Sequence, residues 1–124
     1  MSTIVTSNVS DGTLSIPTTY VTNGSAKVWV NFNGTGTIAA RDSFNVASLT
    51  DGGTGTYTVN FANAMAAGDY MTAGSCRTPG ALSGAALQFD VYSTTSILFY
   101  TRGSTTGAEA DFSIVTMSAH GDLA

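Results

Sequence analysis

Hydrophobic and polar residues alternate in several short segments of this chain. Within residues 27–32, Val28, Val30 and Phe32 take every second position, and Tyr57, Val59 and Phe61 repeat the pattern later. A period of two puts one set of side chains on the buried face of a β-sheet. Asn33-Gly34 follows the first segment, and this dipeptide is typical of a tight turn between two strands. The pattern therefore predicts antiparallel hairpins.

Alternating or apolar segments separated by turn residues cover most of the chain. They predict eight short strands, at residues 27–32, 36–41, 44–50, 55–61, 69–76, 85–92, 96–101 and 110–119. Turn residues every eight to twelve positions favour an all-β fold, an antiparallel β-sandwich with a jelly-roll-like arrangement. The alanine-rich residues 62–68 predict at most one helical turn, because so short a segment does not form a stable helix alone.

Residues 1–25 differ from the rest of the chain. They are rich in serine and threonine, are broken by Asp11-Gly12 and Pro17, and hold only short apolar groups. We expect an N-terminal arm at residues 1–25, followed by one β-sandwich domain at residues 26–124. The apolar groups at 4–5 and at 14–16 can add edge strands. Two interpretations stay open: a flexible start to the domain, or an arm that docks on a neighbouring subunit or particle surface.

Composition narrows the possible partners. Only 10% of the 124 residues are charged, the formal net charge is −4, and the four basic residues are scattered along the chain. Without a basic stripe, we expect no nucleic-acid binding. No apolar run is long enough to cross a bilayer, so membrane insertion is not expected. The first residues lack a basic region and an apolar signal core, which favours assembly inside a cell.

Candidate chemistry is sparse. His120 is the single histidine and Cys76 the single cysteine, so a catalytic or zinc-binding set is not expected. The eight carboxylates are scattered, and those in turns are explained by capping of backbone amides. The segment Asp51–Gly55 lacks the spaced oxygen ligands of a calcium loop. We therefore predict a protein that is not an enzyme and has no cofactor or metal.

Some predicted strands carry apolar residues on both faces, which is more apolar surface than one small sandwich readily covers. Residues 97–100 are apolar throughout, and residues 112–117 alternate large apolar side chains with others. A symmetric assembly of several copies would cover the second face. The predicted subunit contacts are Trp29, Leu98, Tyr100, Val115 and Met117.

Two short motifs stand out, Trp29-Val-Asn-Phe32 and Arg41-Asp-Ser-Phe-Asn-Val46. They lie within residues 26–76, a segment that resembles a β-domain of tailed-bacteriophage virion proteins. This domain is usually described as tail-fibre-like. Residues 110–121 show a weaker similarity to the same domain. The resemblance implies a structural protein of the virion that is assembled in the host cytoplasm. It also makes a homotrimer the expected assembly, with other virion proteins such as the major capsid protein as partners.

Two functions follow as expectations. The first is a trimeric capsid decoration or cement protein, because the chain has no room for the long stalk of a fibre. The second is a tail-fibre or head-fibre adhesin that binds a host-surface receptor or glycan through two exposed loops. The candidate receptor residues are Arg77, Thr78, Ser104 and Thr105. Tyr20 and Tyr70, which lie near turns, are candidates for stacking on a sugar ring.

Overall fold

A computed structural model describes residues 1–80 and 84–124 of the chain. Its elements, in chain order, are β1 (Asn8–Ser10), β2 (Ser15–Pro17), α1 (Thr18–Gly24), β3 (Val28–Asn33), β4 (Ala39–Phe44), β5 (Val46–Gly53), β6 (Thr56–Phe61), β7 (Met71–Arg77), β8 (Ala85–Tyr92), β9 (Ser96–Gly103) and β10 (Ile114–His120). Each of the last eight strands overlaps a predicted one, but β4 begins at Ala39 rather than at 36 and β10 begins at Ile114 rather than at 110; α1 was not predicted.

The strands form two four-stranded antiparallel sheets and a separate hairpin. One sheet has the order β4-β3-β10-β7, the other has the order β5-β6-β9-β8, and β1 pairs only with β2. The all-β prediction and the sandwich are confirmed. The pairs β3–β4, β5–β6 and β8–β9 are hairpins within one sheet. In a jelly roll successive strands alternate between the sheets, so the observed order differs from that arrangement.

The core lies between the two sheets and is built from the alternating positions. Val28, Val30 and Phe32 are buried in one sheet, opposite Tyr57 and Phe99 of the other. The Phe32 ring meets the Tyr57 ring edge-on, with centroids 5.2 Å apart, and lies 6.3 Å from the Phe99 ring. Edge-to-face aromatic pairs add about 0.5–1.5 kcal/mol each to the burial of their apolar area. These rings join the two sheets.

The segment at residues 62–68 does not form the predicted helical turn. Met65 is almost fully buried and makes an isolated bridge with Leu123. The backbone amide of Met65 donates to the Thr94 carbonyl oxygen at 2.7 Å. Long-range contacts that bury one side chain therefore outweigh the weak helical preference of the alanines.

The chain crosses from one sheet to the other at Asn45, between β4 and β5. Asn45 has a positive φ of 57°, a left-handed conformation that asparagine tolerates better than most residues. Its side chain accepts a hydrogen bond from the Asn63 amide at 2.7 Å and donates to the Asn63 carbonyl oxygen at 3.1 Å. The apparent alternation of Phe44 and Val46 is therefore interrupted by a corner, and the two residues belong to different sheets.

Within residues 1–80 and 84–124, strand register is interrupted only in strands at the sheet edges. Residues Arg41 in β4, Ala47 and Gly52 in β5, and Asp90 in β8 have no partner where the pairing shifts. Each is the extra residue of a β-bulge, which increases the local twist of the strand. The fourth edge strand, β7, pairs with β10 without a shift.

A buried tyrosine closes one end of the sandwich. The Tyr57 hydroxyl lies 2.7 Å from the Gly34 carbonyl oxygen and 2.8 Å from an Asp111 carboxylate oxygen. That carboxylate oxygen also accepts from the Gly55 amide at 2.7 Å. A Cβ on Gly34 would lie 2.7 Å from the same hydroxyl, so only glycine fits there. The contacts fix the 103–113 connection across the sandwich.

Burial raises the pKa of the two core tyrosines, Tyr57 and Tyr70. Burial, together with the nearby Asp111 carboxylate, raises the pKa of Tyr57 well above its ordinary value. Burial raises the pKa of Tyr70 to about 12, and its hydroxyl lies 3.0 Å from both the Ser93 and Ser96 carbonyl oxygens. An ionised tyrosine would lose these bonds and leave a charge in an apolar site.

We therefore predict that ionisation of the tyrosines lowers the free energy of unfolding as the pH rises from about 10 to 12. The unfolded chain loses its tyrosine protons first, so the folded state is penalised as the pH rises. Urea unfolding at stepped pH measures the effect. Tyr70→Phe should flatten the alkaline fall, since it removes one ionisable group, and an unchanged slope in that variant would contradict the assignment.

Candidate functional site

The N-terminal arm carries an unusual amount of exposed apolar surface. Every residue from 1 to 25 is exposed except the half-buried Thr18. Ile4, Val5, Leu14 and Tyr20 expose 90%, 93%, 72% and 70% of their surface. Scattered exposed apolar residues are normal on a protein surface, but a dense group of them marks an interaction site. The arm is therefore the first candidate for binding a partner.

Little holds the arm to the sandwich. Among the described residues, the side-chain hydrogen bonds between residues 1–25 and the rest of the chain come from one residue, Lys27, which directly precedes β3. The Lys27 ammonium donates to the carbonyl oxygens of Thr22 and Ser25, the latter at 2.8 Å. The hairpin β1–β2 is instead joined to α1, where the Thr18 amide donates to the Ser7 carbonyl oxygen at 2.9 Å. The arm is locally ordered but is not part of the core.

The outer surface of the sheet β4-β3-β10-β7 is the second candidate, and we call it the Trp29 face. Directly paired residues lie side by side on one face of an antiparallel sheet. One row across the four strands is therefore aromatic and small, and the next row is polar. In strand order, the first row is Phe44, Trp29, Ser118 and Ala73, and the second is Asp42, Asn31, Thr116 and Ser75.

The members of the two rows on β3, β10 and β7 line a shallow, open depression of about 460 Å³, and Phe44 and Asp42 on β4 lie outside it. Trp29 is 36% exposed and Phe44 54% exposed. Within the depression, Ser75 Oγ and Thr116 Oγ1 lie 3.0 Å apart. The Asn31 Oδ1 atom accepts a hydrogen bond from Arg41 Nη1 at 3.2 Å. The face thus combines an indole ring with several hydrogen-bonding groups.

The five predicted subunit contacts do not share one surface. Trp29 lies on the outer surface of its sheet, and Leu98 and Tyr100 are half-buried on the outer surface of the other sheet. The Arg102 guanidinium lies 5.5 Å from the Tyr100 ring centroid, which covers part of that ring. Val115 and Met117 lie in the core, at 0% and 3% exposure, so a folded copy does not present them to another.

The reason is the direction of the alternation in β10. Val115, Met117 and Ala119 point inward, and the outward positions are Ile114, Thr116, Ser118 and His120. The outer face of this strand is therefore mostly polar. The sequence predicts apolar residues on both faces of this strand. The exposed apolar surface of the sheet comes instead from Trp29, Phe44 and Met71, on its other strands.

The two predicted receptor loops lie at the same end of the sandwich. The Ser104 amide donates to the Gly84 carbonyl oxygen at 2.9 Å, so the second loop contacts the end of the first. The four predicted receptor residues are all exposed: Arg77 and Thr78 at the first loop, and Ser104 and Thr105 at the tip of the second. Residues 81–83 of the first loop lie outside the described residues. Tyr20 is exposed on the arm, whereas Tyr70 is buried and is not available for stacking on a sugar.

The structure keeps the residues considered for catalysis apart. Cys76 is paired with the inward-facing Val115, and His120 is paired with Met71 on the outward side. The Cys76 thiol donates to the Ala86 carbonyl oxygen at 3.4 Å, and burial raises the pKa of that thiol. Over residues 1–80 and 84–124, no three histidine, cysteine or acidic side chains group closely enough to hold a metal.

In the same part of the chain, no helix is long and apolar enough to cross a membrane. In comparisons with known proteins, no family model, curated protein or solved structure matches this chain.

The division into an open arm and a closed core predicts two different mutational costs. Met117→Ala removes a buried side chain and should lower the free energy of unfolding by about 2–5 kcal/mol. Leu14→Ala removes an exposed arm side chain and should change it by less than about 0.5 kcal/mol. Urea unfolding of both variants measures the difference, and equal costs would contradict the placement of either residue.

Proposed function

We propose that this protein is a non-enzymatic structural protein of the bacteriophage particle surface, a homotrimeric capsid decoration or cement protein. The resemblance of residues 26–76 to virion β-domains supports a location on the phage particle. The exposed arm supports attachment of the protein to neighbouring copies and to the capsid. The arm is the observation that carries the proposal, because its apolar side chains gain most from a partner surface.

The physical argument concerns the arm in isolation. Burial of apolar surface yields about 25 cal/mol per Å², and a large aliphatic or aromatic side chain yields about 1.5–3 kcal/mol. Ile4, Val5, Leu14 and Tyr20 obtain almost none of this within their own chain. Docking of the arm on a neighbouring copy and on the capsid lattice would supply that burial. The arm holds one formally charged side chain, Asp11, so little charge would be desolvated on docking.

The test uses phage particles that lack the protein, to which purified protein is added back. We expect the wild-type chain to sediment as a trimer, to bind the particles and to restore their resistance to heat. Adsorption of the particles to host cells should be the same with and without it. Tyr20→Asp should abolish both trimer formation and particle binding, because it places a charge in the docking surface.

Thr54→Asp is the matched control, since Thr54 is an exposed residue of the turn between β5 and β6, outside the arm. It adds the same charge and should leave binding unchanged. A wild-type chain that stays monomeric and leaves particle stability unaltered would overturn the proposal.

An adhesin is the second candidate function, and the meeting of the two loops favours it. The contact between Ser104 and Gly84 brings the candidate receptor residues to one tip of the sandwich. A receptor bound at this tip would contact exposed hydroxyls and the Arg77 guanidinium, which can pair with anionic groups.

If this tip is the receptor site, Arg77→Ala should reduce the affinity of the purified protein for host envelopes by about tenfold to a hundredfold, because one charged hydrogen-bonding group is lost. Lys27→Ala serves as the control for loss of a positive charge, because Lys27 belongs to the arm attachment. No retention of the wild-type chain above background would remove this candidate.

A further inference from the structure

We propose that the depression on the Trp29 face binds the ring of a pyranose sugar. The proposal is independent of the particle role and of the two receptor loops. It rests on one exposed indole beside the uncharged hydrogen-bonding groups of Asn31, Thr116, Ser75 and Ser118; the charged Asp42, on the edge strand β4, does not line the depression. A pyranose has the matching pattern, since one of its faces presents C–H groups and its rim carries hydroxyls.

The indole is available as a stacking platform. Trp29 lies near the start of the inner strand β3, and its neighbour on β10 is the small Ser118, followed by Ala73 on β7. Because these two side chains are short, the surface beside the ring stays open and forms the depression. An exposed tryptophan offers a large, rigid contact area at low entropic cost.

The polar row lies about 6.7 Å away along the strands, which is the distance between residues two apart. Asn31 has its Oδ1 atom engaged by Arg41, and this contact orients the amide. In the part of the chain that the structure describes, no hydrogen bond uses Asn31 Nδ2 or Ser118 Oγ. Asn31 Nδ2 can therefore donate to a sugar oxygen, and Ser118 Oγ can both donate and accept.

The same composition argues against a subunit contact at this depression. Its lining side chains are Trp29, Asn31, Ala73, Ser75, Thr116 and Ser118, of which four are polar. The core of a protein interface is depleted in such groups unless each finds a partner. It also argues against an anionic ligand, because none of the six is charged. A neutral sugar satisfies both requirements, and the open shape predicts weak binding to a single ring.

The chain provides its own probe, because Trp29 is the only tryptophan. The full-length protein is titrated with methyl glycosides of glucose, galactose, mannose and N-acetylglucosamine while tryptophan fluorescence is recorded. We expect at least one glycoside to shift the emission, with a dissociation constant in the millimolar range. Short oligosaccharides of that sugar extend the titration: tighter binding indicates a polysaccharide as the natural source, and equal affinity indicates a single ring.

Variants are compared by saturation-transfer NMR, which needs no tryptophan signal. Trp29→Ala should abolish binding, and Asn31→Ala should weaken it by about threefold to tenfold, the loss expected for one hydrogen bond. Tyr100→Ala is the matched control, because it removes an aromatic ring from the outer surface of the other sheet. Circular dichroism confirms that each variant is folded.

Two results would overturn the proposal. The first is that no glycoside changes the fluorescence of Trp29. The second is that Trp29→Ala changes the sedimentation of the unliganded protein, which would make this face a subunit contact. Binding that survives Trp29→Ala but is lost in Arg77→Ala would place a sugar site at the loop tip instead, and would equally contradict it.

Discussion

The packing of aromatic rings between the two sheets is the constraint on which the rest of the structure depends. Phe32, Tyr57 and Phe99 meet within about 6 Å of one another, and each comes from a different strand. The three rings belong to the buried layer that covers one face of each sheet, and a four-stranded sheet must bury one side against another element. The Tyr57 hydroxyl extends the same contact to Gly34 and Asp111. One side chain thus joins the core to the long connection before β10.

The core could be predicted from the sequence, and the surface could not. Alternation located β3 and β6 because one face of each is buried and the period of two is then strict, whereas β9 was predicted from the apolar run at residues 97–100. In β10 the same alternation is present, but both sets of positions contain apolar residues, and periodicity alone does not tell which set faces inward. Val115 and Met117 were therefore expected at a surface and lie in the core. Their inward direction follows from pairing with β3, which only the tertiary structure fixes.

Local backbone features account for the other differences. The corner at Asn45 depends on hydrogen bonds to Asn63, eighteen positions away, and has no signal in a short window of sequence. The helix α1 is only seven residues long and holds no buried side chain, so it lacks the apolar period by which helices are recognised. The Trp29 face was missed because its two rows combine residues from four strands, and only the registers bring them together.

The bulges have a consequence for a protein so poor in charge. Natural sheets often guard their outermost strands with lysine, which keeps them from stacking into cross-β fibrils. Here charged residues make up only 10% of the chain. Three of the four edge strands are instead twisted by β-bulges, whose extra residues are Arg41, Ala47, Gly52 and Asp90. Backbone irregularity at these edge strands thus takes the place of lysine in opposing edge-to-edge pairing. The edge strand β7 has no bulge and lacks this protection against a pairing strand of another chain.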